Sequence, residues 1–158
     1  MSHTPAPDLR SVTPHLIVEG AADAIEYYKR AFGAVEITRM PMQDGKTLMH
    51  AAIRIGDSFI MLADAAPAWG AFGPKALKGT PVVVHLKVPN VDEVFARAVE
   101  AGGRVVMPVS DMFWGDRYGK LEDPFGHQWG ISSKIKEMSL EEMNAAGESF
   151  LKQMSGEG

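Results

Sequence analysis

Apolar positions in this chain come in short runs whose period switches in a fixed order. Residues 12–18 (VTPHLIV) are rich in β-branched side chains and have the length of a strand. Over residues 21–32, Ala22, Ile25, Tyr28 and Ala31 recur every three positions and Phe32 lies four beyond Tyr28, which predicts a helix with one apolar face. Gly33 follows the last periodic residue and suits a left-handed helix stop. Strands are predicted at 35–40, 48–55 and 58–63, separated by the turn pairs Asp44-Gly45 and Gly56-Asp57. The first half is therefore β-α-β-β-β.

Residues 65–81 are dense in Gly, Pro and Ala, keep no sustained period and form a connector. The pattern then repeats. Residues 82–88 (VVVHLKV) are a strand, and Asn90 with Glu93 offers a cap for a helix over 91–101, which Gly102-Gly103 ends. A strand at 104–109 follows, with Pro108 near its end. A hairpin is predicted from 118–123 and 127–132 across Pro124-Phe125-Gly126. His15-Leu16-Ile17-Val18 returns as His85-Leu86-Lys87-Val88, and Asp23 and Gly33 return as Asp92 and Gly102. Two copies of one unit at this spacing indicate a duplicated half-domain. The expected fold is α+β: a leader (1–11), a first βαβββ module (12–64), the connector, a second module (82–133) and a helical tail (134–158). The two modules would form a cupped mixed sheet with helices on its convex side, a single domain overall. In the tail, Ser139 and Glu142 have capping-box spacing, and Leu140, Met143, Phe150, Leu151 and Met154 form a partial apolar stripe. That stripe suits packing on its own chain or on a partner subunit.

Strand alternation assigns faces. Leu16 and Val18 face a helix, as do Val84, Leu86 and Val88, which turns His15 and His85 to the opposite side at matched places. Joined about a pseudo-two-fold, the modules would set both imidazoles in one concavity, and neutral imidazole is a common metal ligand. Trp69, Phe72, Phe113, Trp114 and Tyr118 supply flat apolar lining for a small-molecule site. Trp129 shares a strand face with Ile131 and is expected in the core. Arg117 either braces its loop by pairing with Asp116 or captures a ligand anion through its fork of donors.

Composition narrows the function classes. The 158 residues are 46% hydrophobic and 23% charged with net charge −4, which argues against disorder and against a nucleic-acid partner. Zero cysteine excludes disulfides, thiolate nucleophiles and thiolate metal sites. No signal-like segment or membrane-length apolar run is found, so a soluble, cytoplasmic protein is expected. Phosphate-loop, HExxH and GxSxG motifs are also absent.

The paired modules resemble the vicinal oxygen chelate superfamily, which includes glyoxalase I, extradiol dioxygenases and fosfomycin and bleomycin resistance proteins. The closest stretch is Phe113-Trp114-Gly115-Asp116-Arg117-Tyr118-Gly119, then Glu122-Asp123-Pro124-Phe125-Gly126-His127-Gln128-Trp129. It is similar to a bacterial branch of mostly unassigned chemistry. Metal-using members draw ligands from the first and fourth strands of each module. By position these are His15 and His85, with Met61 and Gly130 where carboxylates stand. Glu122 is the remaining candidate ligand, reachable from its neighbouring strand only with irregular geometry. The resemblance implies a homodimer, and the missing carboxylates together with the aromatic residues favour binding of a small, aromatic or apolar ligand without metal. The alternative it leaves open is a lyase, isomerase or dioxygenase using zinc, nickel, manganese or iron.

Overall fold

The structure, a computed structural model, describes residues 7–156; the first six residues of the leader and the last two of the tail lie outside it. The first module runs β1 (His15–Val18), α1 (Ala21–Phe32), β2 (Val35–Pro41), β3 (Leu48–Ile55) and β4 (Ser58–Asp64). The connector holds a single 3-10 turn (Pro67–Trp69) and the short α2 (Pro74–Leu77). The second module runs β5 (Val83–Lys87), α3 (Val91–Glu100), β6 (Arg104–Asp111), β7 (Asp116–Glu122) and β8 (Gln128–Lys134), and α4 (Leu140–Met154) follows. Each module forms a four-stranded mixed sheet, in the orders β1-β4-β3-β2 and β5-β8-β7-β6. The fold is α+β, and two βαβββ units are present.

Local chemistry sets most element ends. Gly33 caps α1 in the left-handed region (φ 68°), Asn90 accepts from the Glu93 amide at α3, and Ser139 and Glu142 form a reciprocal capping box at α4. Two bounds differ from expectation because of proline. β1 begins at His15 rather than residue 12, since Pro14 has no N–H to donate and contributes only its carbonyl, to Met61. β6 runs past Pro108 to Asp111; it is an edge strand, and its register shifts between Met107 and Ser110.

The modules are joined by packing and side-chain hydrogen bonds; no strand of one sheet pairs with a strand of the other. α1 lies against α3, where the Tyr27 hydroxyl donates to the Ala98 carbonyl at 3.0 Å. Phe32 of α1 packs on Trp129 of β8 with ring centres 4.6 Å apart, and Trp129 is fully buried, as expected. The β7–β8 turn completes the join. Its Asp123 carboxylate, itself buried, accepts from the Tyr28 hydroxyl at 2.6 Å and Trp129 Nε1 at 2.9 Å. The same group also accepts from the Phe125 and His127 amides. His127 Nε2 donates to the Ile17 carbonyl of β1 at 2.9 Å, which fixes its tautomer. Gly126 (φ 96°) sits where an added Cβ would come within 2.8 Å of Pro74, so the turn presses directly on the connector.

α4 buries no residue. Phe150 packs at a tilt on Phe113, 5.1 Å between ring centres, and Leu140, Leu151 and Met154 are exposed. Among the described residues no helix is long and apolar enough to cross a membrane.

Candidate functional site

The strand register carries both histidines to the sheet faces that point away from α1 and α3. His15 pairs with Met61 and is exposed, whereas its neighbours Leu16 and Val18 are buried. His85 pairs with Gly130, which in turn pairs with Lys120.

On the second sheet this face is organised around Tyr118. Its ring lies parallel to His85 (5.8 Å, 10°) and over Gly130, where an added Cβ would stand 2.8 Å from the phenol oxygen. His85 Nε2 is 2.8 Å from the Ser132 hydroxyl, which anchors the imidazole from below. Trp114 meets the Tyr118 ring edge-on at 6.2 Å, and Phe113 meets Trp114 at 4.9 Å. Trp114 is held by its indole N–H, which donates to Asp116 at 3.0 Å. The result is a continuous aromatic surface, His85–Tyr118–Trp114–Phe113, ending on Phe150 of α4. Burial pushes the Tyr118 phenol above its usual pKa, so it stays protonated as a donor near neutrality.

Other expected site residues lie elsewhere. Trp69 borders a cavity of about 180 Å³ on the first sheet together with His15 and Asp64. Phe72 is exposed and stacks on no other ring among the described residues. Arg117 does not reach the aromatic surface or pair with Asp116. Its guanidinium forks onto Asp92 of α3 at 2.9 and 3.0 Å and onto Asp111 at 2.9 Å, which ties β7 to the helix layer. Asp116 instead receives the Trp114 indole.

His15 faces His50 across 6.0 Å, a partner that sequence reasoning did not single out. Although largely exposed, the His15 ring is partly desolvated on its sheet side, and this, with the like charge of His50 second, lowers its pKa from 6.5. A charged imidazole at 15 thus costs more in the folded chain than in the unfolded one. Stability from this group is complete above about pH 6.5 and is lost as pH falls through the lowered folded value. By NMR titration the His15 ring should show a midpoint below 6.5, and His50→Gln should raise it without restoring 6.5, because burial remains. An unchanged midpoint in the variant would contradict the coupling.

The family model of the Glyoxalase/Bleomycin resistance protein/Dioxygenase superfamily matches residues 10–131. The chain belongs to this superfamily. An uncharacterized Mycobacterium tuberculosis protein, Rv0887c, is 46% identical over 139 residues, covering 86% of this chain and 81% of its own. Escherichia coli YjdN is 29% identical over 141 residues, covering 77% of this chain and 93% of its own. Among solved structures, TioX from Micromonospora superposes with TM-score 0.60 at 26% identity, over 82% of this chain and all of TioX.

The superfamily's metal-using pattern does not fit the residues of this chain. His15 and His85 line different cavities rather than one concavity. The fourth-strand positions hold Met61 and Gly130, and the space above Gly130 is filled by Tyr118. Glu122 shares a sheet face with His85 without any irregularity, since it pairs with Gln128 and Gln128 with Val83, but its carboxylate is bound to Arg104 at 3.1 Å. Asp64 accepts the Gly20, Ala21 and Leu48 amides. Among the described residues no cluster of three or more His, Asp or Glu side chains is placed to hold a metal ion. Ser132 was also missed from sequence, although strand alternation alone puts Gln128, Gly130 and Ser132 on the face of His85.

Proposed function

We propose that this chain is a small-molecule-binding member of the superfamily, holding a planar aromatic or apolar ligand against Trp114, Tyr118 and His85 without a metal ion. The observation that carries this reading is the Tyr118 ring stacked on His85 and seated over Gly130. Where metal-using relatives place a carboxylate, this chain places a phenol, and the imidazole beside it is engaged by Ser132. Flat rings with one or two polar tips suit the recognition of planar ligands: the faces exclude water, and the Tyr118 hydroxyl fixes orientation.

The protein is proposed to work as a homodimer in the cytoplasm. Exposed Leu140, Leu151 and Met154 on α4 support an apolar contact with a second copy, and the lack of cysteine fits a reducing compartment. A sedimentation mass of one chain would remove the dimer. The binding reading is tested by titrating chelator-treated protein with acridine and flavone while following tryptophan emission. Saturable binding that added zinc or manganese does not change is expected. No binding of any planar probe, or binding only with metal, would contradict it.

A further inference from the structure

The aromatic surface is not the only concavity of the described residues. A cleft of about 670 Å³ lies between the two modules, within the range of roughly 300–1,000 Å³ typical of sites for drug-sized ligands. One wall is the β3–β4 hairpin with the segment leading into β1; the other is the edge strand β5 with α3. Its floor is apolar, built from Phe32, Ile60, Leu86, Val94 and Trp129 of both modules. Its charged lining residues are unbalanced in sign, with three exposed cations, Arg10, Lys87 and Arg97, and a single carboxylate, Asp57. None of the three cations is ion-paired to a described carboxylate. Arg97 gives one N–H to the Arg30 carbonyl at 3.0 Å.

In a chain of net charge −4, a cationic rim over an apolar floor runs against the average surface. Apolar walls of low polarisability focus such a field into the cleft and favour anions. A neutral apolar ligand would leave the rim unused, and a cationic one would be repelled by it. We infer that this cleft is a second binding site, for an amphipathic carboxylate whose apolar body lies on Phe32, Leu86 and Val94, directly above the buried Trp129, and whose head meets Lys87, Arg97 and Arg10. The site is distinct from the aromatic surface. Trp69, Phe72, Phe113, Trp114 and Tyr118 do not line it, and His85 alone borders both.

The three tryptophans occupy three different places, which gives a direct test. In a Trp69→Phe, Trp114→Phe double variant, Trp129 is the sole indole and reports on the cleft floor. Dodecanoate, titrated below its micelle concentration, should change Trp129 emission saturably, and dodecyltrimethylammonium should bind at least tenfold more weakly. Lys87→Glu with Arg97→Glu, both exposed positions, should weaken dodecanoate about tenfold while dodecanol is unaffected. Ser58→Phe, which narrows the hairpin wall, should weaken both, with an unchanged melting curve showing that the fold persists. No change in Trp129 emission overturns the proposal, as do equal affinities for the anionic and cationic amphiphiles, or charge-reversed protein that binds dodecanoate as before. Displacement of bound acridine by dodecanoate that is as strong in the Lys87→Glu, Arg97→Glu protein as in wild type would place the carboxylate on the aromatic surface and also overturn it. Failure of acridine to bind bears only on the aromatic surface and leaves the Trp129 result to stand by itself.

Discussion

Replacing Asp123 with alanine is expected to destabilise the protein by about 4 kcal/mol, the scale of removing one member of a buried charged network. Four donors converge on this carboxylate: the Tyr28 hydroxyl, Trp129 Nε1 and the amides of Phe125 and His127. Three of the four groups belong to the β7–β8 turn or β8, and the fourth comes from α1 of the other module, so the residue both closes its hairpin and fastens the modules. Alanine leaves the donors buried without an acceptor, and each such group costs about 1–3 kcal/mol. The carboxylate's own desolvation penalty disappears with it, which keeps the total below the simple sum. For a chain of this length about 2–4 °C is lost per kcal/mol, so the melting temperature should fall by about 8–16 °C. Tyr28→Phe removes a single bond to a charged acceptor and should cost about 1.5–3 kcal/mol. The Tyr28 phenol is held well above its usual pKa by burial and by the Asp123 charge, so it remains a donor throughout the working pH range. A loss below about 1 kcal/mol for Asp123→Ala would mean that the turn does not hold the modules together.

Trp114→Ala should weaken binding of a planar heterocycle about 30-fold, or about 2 kcal/mol, while leaving the melting temperature nearly unchanged. Stacking of a flat ring on an aromatic side chain is worth about 1–3 kcal/mol by alanine substitution. Trp114 is only half-buried and anchors by one hydrogen bond to Asp116, so its removal opens no core cavity. Arg117→Ala is the matched control. It lies three residues along the chain but is bound to Asp92 and Asp111, so affinity should not change. Equal affinity of wild type and Trp114→Ala would take the indole out of the site, and a large loss in Arg117→Ala would mean that the arginine leaves its carboxylates to meet the ligand. Both are read in one emission or calorimetric titration.

What was legible in the sequence follows the range of the forces involved. Helix and strand periods, Gly33, the Asn90 cap and the Ser139–Glu142 box are local, and the structure realises each of them. Alternation correctly turned His15 and His85 away from the helices and put Trp129 and Ile131 in the core. Partners chosen across the fold were not legible. The Arg117 fork reaches Asp92, 25 positions away, because β7 passes beside the start of α3. The two histidines part because the modules are set by α1 against α3 and by Tyr28 on Asp123, a contact spanning 95 positions. Tyr118 over Gly130 needed the β7–β8 register, which the hairpin signal located but did not fix. The intermodule cleft was invisible for the same reason, since its floor is assembled from side chains of both modules.

The central claim, an aromatic site that works without metal, is tested most directly by counting metal. Untagged protein purified without chelator, then incubated with zinc, nickel, manganese or iron and desalted, is measured by elemental mass spectrometry. The account predicts far less than one ion per chain, with the same trace level in His85→Ala. Near-stoichiometric metal that disappears in His85→Ala would contradict it and make His85 a ligand completed by groups from a second chain.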